Sequence, residues 1–348
     1  MLQNFSTAGS GLSKWTFAEK GGRTYFLKEF LSPVYPVRGA PGSKETHERR
    51  RRACDEFEKR TKGIMKATPQ PSVDGGNLVI TQVFFRSGTK YYKATTQVTP
   101  SPLSLAQLAE LPDHKRILLF KTICHSLRAL HAARIVHGDL RPENVLIVET
   151  MTGDCAGKLI DFDSSFFAGK PPAVEAFKSD PIYYAPEVGL YIEGVAGVHQ
   201  EDIHTAADIF SLGLLFCQYL TAALPPFEQD VYRLPYVAAV AGVKLKAAGR
   251  KGPAFLRQLI ATMLQADPAA RPTIEQIFAT LQDPAVPLAT PGAKSEKPKT
   301  KPSAGKLKGT MTNLAVESST TAVPEGDSEP PVKPPSKLKG TLTKRDKK

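Results

Sequence analysis

RIVHGDLRPENVLIVETMTGDCAGKLIDFD, residues 134–163, is the stretch that decides the fold of this chain. Ile135-Val136 reads as a short apolar strand, HGDLRPEN (137–144) as a polar loop, and VLIV (145–148) as a second apolar strand. A loop carrying Gly153 and Gly157 then turns the chain into a third strand, KLI, that ends at Asp161. These strand ends place Asp139, Asn144 and Asp161 near one another. Polar residues on loops held by a rigid scaffold are the raw material of a catalytic site.

The remaining composition narrows the class. The chain has 348 residues, 41% of them hydrophobic, enough for one two-lobed unit or two small domains. Net charge is +12, with a large share in the lysine-rich stretch from Pro284 onward, where Pro, Ser and Thr dilute the charge as in a solvated tail. Cys54, Cys124, Cys155 and Cys217 are far apart and show no CxxC spacing. That argues against a zinc site or disulfide scaffold and for a reducing, cytoplasmic setting. The N-terminus lacks the basic-then-apolar pattern of a secretory signal. The longest apolar stretch, Ile209 to Leu220, is interrupted by Ser211, Gly213 and Gln218 and is too short to span a bilayer.

HGDLRPEN resembles the protein-kinase catalytic loop H-R-D-x-x-x-x-N, and DFD (161–163) resembles its D-F-G. Small-molecule phosphotransferases carry a similar HGD…N loop, so the downstream residues decide. Ala185-Pro186-Glu187 is similar to A-P-E, and DIFSLG (208–213) to the family's D-x-W/F-S-x-G. ADPAARPT (266–273) carries Arg271, which the family pairs with the glutamate of A-P-E, here Glu187. On these motifs, in this order, the chain is identified as a member of the Hanks-type Ser/Thr protein kinases. The compact, divergent motifs suggest a bacterial member.

The resemblance implies a two-lobed α+β protein-kinase fold. Residues 1–98 are expected to form a small lobe of five antiparallel strands and one helix. Residues 99–283 form a mostly helical large lobe, and 284–348 a disordered basic tail rich in Pro, Lys, Ser and Thr. Three strands are expected within 2–36, with a Gly21-Gly22 hairpin between the second and third, and two more within 77–98. Capping boxes at Ser104–Gln107 and Thr273–Gln276 each open a helix. In the long helix from Asp113, Ile117, Phe120, Ile123, Leu127 and Leu130 form the core stripe, and His125 and His131 read as ordinary helix residues.

Gly9 and Gly11 supply the first two positions of a G-x-G-x-x-G loop whose backbone can approach phosphate oxygens; Lys14 stands where the third glycine would be. Lys28, in TYFLKEF, matches the lysine of the third kinase strand, whose role is to hold the α- and β-phosphates of ATP. A helix from about Glu45 to Lys66 carries the stripe Cys54, Phe57, Thr61, Ile64 and Met65. Glu58 lies on the edge of that stripe and is the expected partner of Lys28; Glu56 points elsewhere.

In the loop, the resemblance makes Asp139 the acceptor of the substrate hydroxyl proton, Asn144 a ligand for Mg²⁺, and Asp161 the bridge between metal ions and phosphates. Arg141 stands where the family places a lysine on the γ-phosphate. The implied cofactors are ATP and Mg²⁺, and the implied substrates are Ser/Thr hydroxyls of proteins; the sequence adds the expectation of no specific nucleic-acid partner and no membrane span. Gly138 replaces the Arg that pairs with a phosphorylated activation loop, so activation is expected without loop phosphorylation. Asp163 replaces the Gly of D-F-G. Asp180, in SDPIYYAPE, replaces a Thr beside the catalytic aspartate, where an anion would raise its pKa. These departures keep a second expectation open, an ATP-binding pseudokinase scaffold. In the tail, KLKGTMT (306–312) and KLKGTLT (337–343) form a near-repeat that is a candidate autophosphorylation or partner motif, at Thr310 and Thr341.

Overall fold

A computed structural model describes residues 3–7, 13–37, 39, 41–69 and 76–285. The loop glycines Gly9 and Gly11 and the tail with its KLKGT repeats lie outside them.

The N-terminal region is a twisted antiparallel sheet. β1 (Ser13–Lys20) and β2 (Arg23–Phe30) form a hairpin closed by Gly21 and Gly22, both at positive φ (60° and 71°). Glycine meets that demand of a two-residue hairpin turn without steric cost. After α1 (Lys44–Ala67), β3 (Thr81–Ser87) and β4 (Lys90–Thr96) complete the order β1-β2-β4-β3. The sheet thus has four strands among the described residues, not the five expected. The N-terminal segment meant to be the first contributes one isolated bridge, Ser6 to Trp15. Residues 77–80 depart from the sheet as well. Leu78 bridges Leu159 in parallel, so this segment pairs with the large lobe before β3 begins.

α1 is capped by Ser43, whose Oγ accepts from the Thr46 N–H. It packs on the sheet through Phe57, which sits edge-on to Phe30 (5.1 Å) and Tyr91 (5.3 Å). Cys54, Phe57, Phe30 and Tyr91 make a small core of their own under the helix.

The large lobe starts with α2 (Leu105–Ala109), opened by the Ser104–Gln107 capping box, and α3 (Asp113–Ala132), which buries Phe120, Ile123, Leu127 and Leu130. β5 (Ile135–Val136), β6 (Val145–Glu149), β7 (Cys155–Leu159) and β8 (Phe166–Phe167) frame the catalytic-type loop, β5 pairing β8 and β6 pairing β7. α3 lies directly on β7 at Gly157, where a Cβ would meet the Ile123 side chain at 2.5 Å, so glycine permits the contact. α4 (Pro186–Ile192), α5 (Ala206–Thr221), α6 (Gln229–Tyr232), α7 (Pro235–Val240), α8 (Ala254–Met263) and α9 (Ile274–Gln282) follow. α5 is apolar almost all round and buried accordingly. Among the described residues, no helix is long and apolar enough to cross a membrane.

Candidate active site

Two rigid ties aim the loop between β5 and β6. Asp208, 1% exposed at the start of α5, accepts from the backbone N–H groups of His137 (2.8 Å) and Gly138 (3.0 Å). His131 reaches the same carboxylate from α3, with Nε2 at 2.9 Å. His131 is therefore a tie of the loop rather than an ordinary helix residue, a role its lone place in a helical stripe does not announce. Gly138 holds φ +77°, and a Cβ there would meet the Ser164 carbonyl at 2.7 Å. A side chain at 138 is excluded by the backbone it would face.

The loop and β7 then deliver the predicted residues to one cleft. Asn144 Nδ2 donates to the Asp139 carbonyl (2.7 Å) and to Asp139 Oδ2 (2.8 Å). The other oxygen, Asp139 Oδ1, is buried with no hydrogen-bond partner. Burial raises the Asp139 carboxyl above its ordinary pKa; His137, Arg141 and Asn144 oppose that, and the charge of Asp161 adds to it. Asp180 lies against Arg141 (3.3 Å) and accepts from the Ile182 N–H. Arg141 also holds Glu143 (2.8 Å), and Glu143, Asp139 and Asp180 together raise its pKa against burial.

Asp161 is backbone-strained, at φ 61° in the left-handed region, as residues at functional sites often are. Its carboxylate meets two lysines, Lys28 (2.7 Å) and Lys93 (2.7 Å). Burial would raise its pKa, yet Lys93 and Lys28 hold it well below the usual carboxylate range. Asp163 meets the same two lysines, Lys28 at 2.7 Å and Lys93 at 2.5 Å. Burial works to lower the Lys28 amine, but Asp163 and Asp161 outweigh it and raise its pKa.

The expected Lys28–Glu58 pair does not form. Both Glu58 oxygens are taken: Tyr91 Oη donates to Oε1 (2.9 Å) and Lys62 Nζ to Oε2 (2.6 Å). Tyr91 is fully buried in the core under α1, so it draws Glu58 along the sheet and away from the cleft. The face α1 turns to the cleft includes Arg52, Glu56, Lys59 and Arg60 but not Glu58, a reversal of the reading that pointed Glu56 elsewhere. Lys14 also falls on the far side. Ser13, Trp15 and Phe17 face the cleft, while Lys14 sits near Glu29. It is not one of the described residues that line the cleft.

The cleft encloses about 1830 Å³. That exceeds the range of about 300–1,000 Å³ for a single small-ligand pocket, so a second substrate has room beside the first. Trp15, Phe17 and Phe26 from the sheet, and Leu146 and Ile160 from below, line an apolar portion beside the charged residues. Among the described residues, no three His, Cys, Asp or Glu side chains form a complete metal cage. The oxygen donors Asp161 and Asn144, with the unpartnered Asp139 oxygen near them, fit an ion of the Mg²⁺ kind, which shares its shell with water and phosphate.

Far from the cleft, Arg271 forms a two-pronged bond to Glu187, 2.8 Å on each arm, with both side chains buried. Its guanidinium also donates to the carbonyls of Gln265, Ala266 and Ala206, tying the A-P-E segment to the base of the lobe.

Comparison with known proteins agrees with this architecture. The model of the protein kinase domain matches residues 75–281. The ovarian-specific serine/threonine-protein kinase Lok of Drosophila melanogaster is 32% identical over 165 residues, 46% of this chain and 33% of that protein. The meiosis-specific serine/threonine-protein kinase mek1 of Schizosaccharomyces pombe is 25% identical over 215 residues, 59% of this chain and 45% of that protein. A probable myosin light chain kinase of Dictyostelium discoideum is 30% identical over 165 residues, 47% and 50% of the respective chains. The chain therefore spans half the length or less of these relatives. With a family model covering more than half of its residues, and serine/threonine kinases as the relatives it matches, this chain belongs to the protein kinase family.

Proposed function

We propose that the chain is an active ATP- and Mg²⁺-dependent kinase that phosphorylates Ser/Thr hydroxyls of proteins. The observation that carries this reading is the state of Asp139. One oxygen is fixed by Asn144, and the other is buried, unpartnered and on the wall of the same cleft as Asp161. A carboxylate left one acceptor short is suited to take the proton of an incoming hydroxyl.

Bound Mg²⁺–ATP would supply the phosphoryl group and neutralise its oxygens. The chain's own residues then do the positioning. Trp15, Phe26, Leu146 and Ile160 offer an apolar slot for a flat ring. Lys28 would meet the phosphates from β2. Asp161 and Asn144 would hold the ion, and Asn144 keeps Asp139 in register for the hydroxyl. Arg141 would have to loosen its bonds to Asp180 and Glu143 to approach the transferred group. Four free, buried cysteines suit a reducing, cytoplasmic setting.

A second reading rests on a different observation. Asp161 is closed off by two lysines rather than one. A nucleotide-binding scaffold with little turnover would tolerate that closure. Incubation with γ-labelled ATP, Mg²⁺ and a generic protein substrate separates the two. Label on serine and threonine supports the enzyme; ATP binding without transfer supports the scaffold. A small-molecule kinase is disfavoured by the buried Glu187–Arg271 and Asp208 ties, which match the protein-kinase motifs.

A further inference from the structure

Lys93 has no role in the phosphoryl transfer proposed above, and Asp163 enters the sequence only as a departure. The structure puts them together. Lys93 stands on β4 directly opposite Lys28 on β2, and both side chains line the cleft. Like charges facing across an antiparallel pair are unfavourable, and a lysine is almost never buried without partners. Lys93 is nevertheless only 4% exposed. The arrangement stands because each lysine bridges both aspartates, giving two cations and two anions in one closed square. The extra cation and the extra anion are a matched pair: without Asp163, two lysines would share one carboxylate.

We propose that Lys93 is a second phosphate-anchoring lysine of the cleft, and that Asp163 is the carboxylate that positions both lysines. The proposal rests on the nucleotide reading above and deepens it. Asp161 and Asn144 are the donors that fit a divalent cation. With Asp161 given to the ion, both amines keep Asp163 as a fixed partner, and each ammonium has further N–H donors for phosphate oxygens. Glu58, bound by Tyr91 and Lys62, is unavailable for that positioning role. Asp163 takes it from the other side of the cleft.

The test compares ADP with adenosine on the full chain by calorimetry, with Mg²⁺ and with a chelator. Lys93→Met is expected to weaken ADP about 10-fold or more, the worth of one charge-assisted phosphate contact, and to leave adenosine unchanged. Lys28→Met does the same, and the double variant loses the preference for ADP over adenosine. Lys93→Arg keeps most of that preference. Asp163→Asn lowers it, and Asp163→Glu restores part of it, which a merely structural role would not do. Thermal unfolding without nucleotide reports whether each variant is folded. If Lys93→Met is not, Lys93→Met with Asp163→Gly, which removes cation and anion together, takes its place. Wild-type preference for ADP that persists unchanged in the Lys93 variants overturns the second lysine alone. A wild type that binds ADP no better than adenosine overturns the nucleotide reading and this proposal together.

Discussion

The amine of Lys28 lies 2.7 Å from a carboxylate oxygen of Asp163, and this contact replaces the partner expected from α1. A lysine rooted in an apolar strand needs a counter-charge. Here the counter-charge comes from the segment just after β7 rather than from the helix. The position of α1 and the position of Lys28 are thereby separated.

That separation has a measurable consequence. Glu58→Gln leaves the Lys28 square intact and removes only the Lys62 ion pair and part of the Tyr91 bond. Phosphoryl transfer is expected within a few-fold of wild type, with a stability loss of about 1 kcal/mol read by urea unfolding. A collapse of activity in Glu58→Gln would return the role to α1.

Gly138 should resist substitution. At φ +77°, with a backbone carbonyl 2.7 Å from the position of a Cβ, Gly138→Ala is expected to destabilise by about 1–3 kcal/mol. Gly138→Arg, which restores the residue of the family's motif, should be no better. With no arginine at 138, phosphatase treatment should leave the wild-type rate unchanged, measured by label transfer before and after treatment.

Asp139 and Asp161 should move stability in opposite directions with pH. Burial raises the Asp139 carboxyl, so its contribution to stability is present at low pH and lost as pH rises through the folded value. Asp139→Asn should therefore resist urea better than wild type near neutral pH, and the gain should shrink on acidification. Asp161 is held low by Lys93 and Lys28 against burial. Its contribution is present above the unfolded carboxylate value of about 3.9 and is lost only as pH falls through the depressed folded one. Asp161→Asn should be less stable than wild type at neutral pH, and that deficit should close in acid.

The Glu187–Arg271 pair should be structural in every assay. Both partners are buried, so Arg271→Ala leaves an uncompensated carboxylate and is expected to lose about 3–5 kcal/mol in chemical denaturation. ADP affinity measured well below the unfolding midpoint should be unchanged.

Much of this was readable from the chain itself, and the pattern of what was not is physical. The loop motif and its spacing placed Asp139, Asn144 and Asp161, because short-range spacing between two strand ends leaves little freedom. The two capping boxes and the Gly21-Gly22 hairpin formed as read, since each depends on neighbours in sequence. Glu58 was misplaced because the helical stripe shows which face is buried but not which residue of the sheet waits there. Tyr91 did, and it is 33 residues away. Lys93 was invisible for the same reason: KYYKATT shows no preferred face until the register sets Lys93 opposite Lys28. The first strand and residues 77–80 look like strand by composition. Bridge pairing at Ser6 and with Leu159 decided otherwise.

The most direct test is the rate of γ-phosphoryl transfer to a protein substrate at saturating Mg²⁺–ATP, wild type against Asp139→Asn. The wild type is expected to transfer to serine and threonine, and the variant to fall by about 10²–10⁴-fold with ADP affinity retained. Equal rates in the two proteins, or a wild type that binds ATP and transfers nothing, would contradict that expectation.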